Sequence, residues 1–181
     1  MSELSVILDS TVVLQIIQHC QDSNEFTCGK LIGYETEGKL VVVNSFAIPS
    51  DLEDSDEYTT QRLKYLQDLK FESFVLGWYL KLGDGEALDI TSLEHQFNLQ
   101  CEFPKSIMLV YNTGKVPAGE LPISAYTFTD EFFNFFSEDD FGSKKNVEIG
   151  IGAKNVFQKL DVKLEVSELI EGFLAQYADD Y

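Results

Sequence analysis

Residues 74–82 read Phe74-Val75-Leu76-Gly77-Trp78-Tyr79-Leu80-Lys81-Leu82. Apart from Gly77 and Lys81, every side chain is aromatic or aliphatic, which is the composition of a buried strand. Successive side chains on a strand alternate between faces, so positions 80 and 82 point the same way. Both are leucine.

Downstream, Gly83-Asp84-Gly85 supplies two breakers, and a helix is expected from about Ser92 to Phe103. Thr91 with Glu94 three residues later reads as its capping box. Further strands are expected at 106–111, 123–129, 146–151 and 156–164, with a surface loop over 117–122. Asp130 is expected to cap a phenylalanine-dense helix through Phe136.

Upstream, a strand at 4–8 leads into a helix capped by Ser10 and running to about His19, its apolar stripe made by Val13, Ile16, Ile17 and Cys20. Two long strands at 27–36 and 39–48 meet at Glu37-Gly38, a hairpin turn in which Gly38 suits positive φ. Residues 50–57 carry Asp51, Glu53, Asp54, Asp56 and Glu57 and read as a solvated loop. A helix over 58–71 follows, with Leu63, Leu66 and Leu69 on one face and Tyr58 or Tyr65 beside them. A last amphipathic helix is expected over 167–177, its stripe formed by Leu169, Ile170, Phe173, Leu174 and Tyr177. The elements alternate without the regular rhythm of a doubly wound sheet. The fold class is therefore mixed α/β: a curved mixed sheet flanked by helices.

A chain of 181 residues fits a single domain over 1–181 and can bury roughly 70% of its unfolded surface. Its 44% hydrophobic content is that of a folded protein. No apolar run reaches the roughly 18 residues of a membrane span, and Met1-Ser2-Glu3-Leu4-Ser5 lacks the basic start and apolar core of a signal peptide. No membrane association and a cytoplasmic location are expected. With 31 acidic against 13 basic residues, the net charge is −18. Direct nucleic-acid binding, which needs clustered Lys and Arg, is not expected. The acidity serves solubility or docks the chain onto a basic partner surface. Cys20, Cys28 and Cys101 form no CxxC pair, so reduced thiols are expected and a disulfide framework is not.

The Gly77-Trp78-Tyr79 strand resembles the MPN domain, the JAMM metalloprotease fold, whose catalytic members carry Gly-Trp-Tyr-His-x-His-Pro, a downstream Ser-x-x-Asp and an upstream Glu. Gly29-Lys30-Leu31-Ile32-Gly33 is similar to that family's Gly-Leu-Leu-Leu-Gly strand. Lys39-Leu40-Val41-Val42-Val43-Asn44-Ser45-Phe46-Ala47-Ile48-Pro49 is similar to its second long strand. Val6-Ile7-Leu8-Asp9 and the helix after it look like its opening, and the likeness runs from about residue 4 to 178. The pattern is most similar to histidine-free members that serve in eukaryotic translation initiation factor 3. Members of the proteasome lid and the signalosome share much of it.

The resemblance implies where chemistry would sit. The two histidines map to Leu80 and Leu82, the serine to Ile90, the aspartate to Leu93 and the upstream glutamate to Phe26. Imidazoles and carboxylates bind zinc and leucine does not. No metal, no cofactor and no catalytic residue is expected, which speaks against a zinc-dependent ubiquitin isopeptidase.

The remaining candidates are weaker. His19 and His95 are far apart, each without a second ligand at metal spacing. His95 and Cys101 sit on different faces of one helix. Asp84, Glu86 and Asp89 read as exposed loop acids, and Gly83-Asp84-Gly85 and Gly150-Ile151-Gly152 lack the lysine and further glycine of a phosphate cradle. Asn112-Thr113-Gly114-Lys115 reads as a plain turn.

Protein–protein contact is left as the expected work. The resemblance implies a scaffold protein that pairs with another MPN protein as a heterodimer and with helical-repeat (PCI-type) subunits of a large complex. Tyr58, Leu63, Tyr65, Leu66 and Leu69 would form the first surface, unless the leucines cover the chain's own sheet. Leu169, Ile170, Phe173, Leu174 and Tyr177 would form the second, with 167–179 as the start of a C-terminal helical segment, unless that stripe packs on its own sheet.

Overall fold

The computed structural model describes residues 4–22, 27–49, 55–68, 74–83, 85–118, 120–138 and 147–166. Among them the chain runs β1 (Ser5–Asp9), α1 (Ser10–Asp22), β2 (Cys28–Thr36), β3 (Lys39–Ile48), α2 (Ser55–Asp68), β4 (Phe74–Leu82) and β5 (Ala87–Asp89). It continues through α3 (Ile90–Glu102), β6 (Ile107–Asn112), a 3₁₀ turn (Thr113–Ala118), β7 (Ile123–Phe128), α4 (Asp130–Glu138), β8 (Glu148–Gly150) and β9 (Phe157–Glu165).

The curved mixed sheet closes on itself. Its strand order is β1-β3-β2-β4-β6-β7-β9, and β9 returns to pair in parallel with β1. β4 and β6 are also parallel, and the β2–β3 hairpin is antiparallel. The hairpin turn places both Glu37 (φ 49°) and Gly38 (φ 76°) in the left-handed region, the backbone of the two-residue turn whose twist matches that of its strands.

Two bulges bend this sheet. The β2–β4 register pairs Leu31 with Gly77 and Ile32 with Val75, so Leu76 is the extra residue. The β2–β3 register likewise skips Val43. An extra residue shifts the alternation of the bulged strand by one step. Leu76 therefore packs in the same core as Tyr79, while Trp78, Leu80 and Leu82 pack in another.

These two cores lie on opposite faces of the central strands. On β6, Ile107, Leu109 and Tyr111 join the first core and Met108 and Val110 the second. The first is covered by α1 through Val12, Val13, Ile16 and Cys20. The second is covered by α3 and α4 through Leu93, Phe132 and Phe136. Burial on both faces explains why 74–82 is apolar nearly throughout.

Several boundaries differ from the sequence expectation. α2 begins at Ser55, with Asp56 and Glu57 in its first turn, where acids favour a helix N-terminus. α3 is capped by Asp89, whose carboxylate accepts from the Ser92 N–H at 2.9 Å, so the expected Thr91–Glu94 box is not the cap. The Phe132 N–H of α4 donates to the Thr129 hydroxyl at 3.2 Å, so Thr129 caps that helix in place of Asp130. On α1 the buried stripe is Val12, Val13, Ile16 and Cys20, with Ile17 only partly covered. Residues 113–118 coil into a 3₁₀ turn. The short strands β5 and β8 pair with each other, Leu88 opposite Ile149. The expected helix over 167–177 lies outside the described residues.

Candidate functional site

Leu80 and Leu82 end β4, and Leu93 sits in the first turns of α3, which starts at Ile90. Leu80 and Leu93 are fully buried and Leu82 nearly so. All three share one apolar cluster with Trp78, Leu88, Met108 and Phe128, and Ile90 packs against it. Cys28 faces Leu80 across β2–β4. The structure thus brings together four of the five positions mapped above in one apolar cluster, beside a cavity of about 710 Å³ that Leu80, Leu82 and Leu88 line together with Glu86, Asp89 and Glu148. The fifth, Phe26, lies outside the described residues.

A divalent cation does not fit this cluster. Zinc needs deprotonated thiol, imidazole or carboxylate donors converging at about 2.0–2.3 Å. Among the described residues no group of three or more His, Cys, Asp or Glu side chains is disposed to hold a metal. Of the acids on the adjoining cavity, Asp89 caps α3 and Glu86 accepts the Gly83 N–H, and His95 contacts Trp78 and Lys30.

The edge of this cluster carries two polar arrangements. In the first, the Trp78 indole N–H donates to Gln96 Oε1 at 2.8 Å. The Gln96 amide donates in turn to Gln100 Oε1 at 2.9 Å and to the Ser106 carbonyl at 3.1 Å. Gln100 Oε1 also accepts the Phe128 backbone N–H at 3.0 Å. Two glutamines four residues apart on α3 therefore bolt that helix to β4, to the residue that leads into β6 and to β7.

The second arrangement centres on Lys30. Its side chain is buried, with Nζ 3.0 Å from His95 Nε2, and His95 stands edge-on to Trp78 with ring centroids 4.7 Å apart. An ammonium only donates, so the imidazole accepts and is neutral. Burial holds His95 down at about 4, the Lys30 charge pushing the same way and Asp56 opposing. Burial also lowers Lys30, against Asp56, Cys28 and Glu102, which favour its charge. Both groups floor a groove of about 660 Å³ between α2 and α3, walled by Asp56, Thr59, Leu63 and Glu102. On the far face of β4, the Tyr79 hydroxyl contacts His19 Nδ1 at 2.7 Å, with burial raising the phenol and lowering the imidazole.

Of the expected contact residues, Tyr58, Leu63, Tyr65 and Leu66 lie on α2, whose described side chains include no buried one. Tyr65 is 64% exposed, and Leu63 and Leu66 are half-buried. Tyr58 packs edge-on to Phe46 at 6.2 Å and lies under the Arg62 guanidinium at 5.2 Å. Leu69, Leu169, Ile170, Phe173, Leu174 and Tyr177 lie outside the described residues.

Sequence reading missed the Lys30–His95 contact and the glutamine network. Their signals are a lysine inside the apolar run Gly29-Lys30-Leu31-Ile32-Gly33, and glutamines spaced as a helix face.

The profile of the JAB1/Mov34/MPN/PAD-1 ubiquitin protease family matches residues 2–102, more than half of the 181. The H subunit of eukaryotic translation initiation factor 3 from Bombyx mori is 26% identical over 177 residues, covering 94% of this chain and 52% of that protein. Its counterpart in Nematostella vectensis is 27% identical over 180 residues, 94% of this chain and 54% of that protein. The counterpart in Dictyostelium discoideum is 26% identical over 185 residues, 97% and 58%. The chain spans about half the length of the curated relatives it matches. With a mixed sheet closed around the Gly77-Trp78-Tyr79 strand and a profile match across most of its first hundred residues, this chain belongs to the JAB1/Mov34/MPN/PAD-1 family.

Proposed function

We propose that the chain is a non-catalytic scaffold component of a eukaryotic translation initiation factor 3-type complex in the cytoplasm, acting by protein–protein contact. The observation that carries the non-catalytic part is the packing of Leu80, Leu82, Ile90 and Leu93 into one apolar cluster. Leucine offers no lone pair to a cation, and the loss of several ligands together leaves nothing for water to complete. The likeness to the initiation-factor relatives across nearly the whole chain supports the choice of complex.

α2 supports the contact role. A helix with no buried side chain among its described residues gains little from its own fold, and its Tyr58, Leu63, Tyr65 and Leu66 offer an apolar face. The proposed partner there is another MPN protein, in an interface of roughly 1,600 Å². Helical-repeat subunits of the complex are the proposed neighbours of 167–179.

Two measurements test this reading. Elemental analysis of the purified chain should find zinc far below one ion per chain, and a lysine-linked diubiquitin should stay uncut. Stoichiometric zinc or cleavage overturns the non-catalytic assignment. Affinity purification with mass spectrometry should recover initiation-factor subunits. Recovery of proteasome-lid or signalosome subunits in their place overturns the choice of complex.

A further inference from the structure

α4 reads Asp130-Glu131-Phe132-Phe133-Asn134-Phe135-Phe136-Ser137-Glu138. Its buried face, Phe132 and Phe136, completes the second core, and Phe133 stacks on Phe97 at 4.9 Å. Phe135 points away from that core and is 51% exposed. It stands at the mouth of a groove of about 440 Å³ lined by Glu131, Phe132, Phe135, Ile149, Asn155 and Val156. A cavity of about 150 Å³ holds a benzene ring, so this groove has room for one large apolar side chain and parts of its neighbours.

Charge decides what kind of molecule brings that side chain. α4, which forms one wall, carries Asp130, Glu131 and Glu138, all exposed, and no Lys or Arg; Glu131 lines the groove itself, while Glu148 of β8 lines a separate cavity beside Leu82. Lys154, in the turn after β8, is the one cation on the described elements around the groove. An anionic lipid surface or a nucleic acid is repelled by this rim, and the −18 charge of the whole chain works in the same direction. A cationic segment is drawn to it.

We propose that the groove between α4 and β8 docks a short basic segment of another protein, which inserts one aliphatic or aromatic anchor between Phe135 and Ile149. This surface is separate from α2 and does not depend on which complex holds the chain. The anchor supplies affinity by desolvation against Phe132 and Phe135, and flanking Lys or Arg residues pair with Glu131 and the neighbouring acids of α4.

The probe is a fluorescein-labelled hexapeptide, Lys-Arg-Leu-Phe-Lys-Arg, titrated with the 181-residue chain and read by anisotropy. Two control peptides replace Leu-Phe by Ser-Ser or all four cations by Glu. Binding of the first peptide alone, with amide shifts centred on Phe135 and Ile149, supports the proposal. Phe135→Ala should weaken it about tenfold, the loss of one anchor contact. Glu131→Lys should weaken it by a smaller factor and flatten its salt dependence. Because both positions are exposed, each variant should melt with the parent. Equal binding of the Ser-Ser peptide shows bulk electrostatics and overturns the proposal, as does no binding of any peptide. Two other occupants also overturn it: Phe141 of the same chain, if it gives nuclear Overhauser contacts to Ile149, and a second copy, if Phe135→Ala abolishes concentration-dependent self-association.

Discussion

Trp78 and Gln96 are joined by a buried hydrogen bond, indole N–H to amide oxygen at 2.8 Å, between the strand that defines the fold and the helix that covers it. The pair links packing to polar satisfaction. Trp78 lies in the second core, and Gln96 passes the connection on to Gln100 and the Ser106 carbonyl. Trp78→Ala should cost about 3–5 kcal/mol, the range for removing a buried large aromatic side chain. Trp78→Phe keeps most of the volume but orphans Gln96 Oε1, and should cost about 1–3 kcal/mol. Urea unfolding of both variants checks the order. A phenylalanine variant as unstable as the alanine one would show that the hydrogen bond, and not the packing, dominates.

His95 gives the fold an acid weakness. Its folded value is about 4 against an ordinary 6.5. Above the unfolded value both states hold a neutral imidazole and nothing is lost. As pH falls from about 6.5 to about 4, the unfolded chain binds a proton that the folded chain refuses, and stability drops by about 1 kcal/mol per pH unit. Lys30 and Trp78 face this imidazole and Asp56 lies near enough to oppose the shift, so the cation has one carboxylate to relieve it and a buried ammonium to repel it. Carboxylates elsewhere add their own acid dependence, so the measurement is a difference. His95→Gln should lose less stability than the parent between pH 6.5 and 4.5 in chemical denaturation. Parallel curves would show that His95 contributes nothing to the acid response.

Gly77 is fixed by a close approach. A Cβ built there would lie 1.9 Å from the Ile107 carbonyl oxygen, a backbone atom that cannot swing aside. Gly77→Ala should destabilise by about 1–3 kcal/mol or more, as overpacking does. Gly150→Ala, where no atom lies within 4 Å, is the control and should be close to neutral. A thermal melt of each decides it.

Leu66 lies half-buried on α2 and tests the partner surface. Leu66→Asp should leave the melting temperature of the isolated chain near that of the parent and abolish co-elution with an MPN partner. Intact co-elution removes α2 as the interface.

Legibility followed burial. The bounds of β4 were readable to the residue because both of its faces are covered, which demands apolar side chains at nearly every step. The coincidence of Leu80, Leu82 and Leu93 in one cluster was readable from strand alternation and family spacing. The bulge at Leu76 was not, since barrel closure imposes it and no local signal marks it. β5, three residues long, is too short to show a period, whereas β8 falls inside the strand expected at 146–151. The start of α2 was hidden because the acids of a helix first turn look like a charged loop. At α3 the cap was missed: Thr91 was expected, and the helix is capped by Asp89, which reads in sequence as one of three loop acids.

The apolar cluster also predicts that a zinc site cannot be regained by restoring its two histidines. Leu80→His with Leu82→His would place imidazoles on the right face of β4, since both leucines already point into one cluster. Leu93 would still offer hydrocarbon from α3, and of the acids on the adjoining cavity Asp89 and Glu86 would remain committed to the Ser92 and Gly83 backbone N–H groups. Two ligands without a third leave the cation largely hydrated, so affinity should stay far below that of a structural or catalytic site. The same change buries two unsatisfied polar rings, each at about 1–3 kcal/mol, in a core whose leucines are nearly inaccessible to solvent. The double variant should therefore unfold at lower urea, gain no stability from added zinc, and cleave no diubiquitin. A zinc-dependent rise in its melting temperature would show that donors close enough to complete the shell exist around this cluster, and the proposal of a scaffold without chemistry would fall with that result.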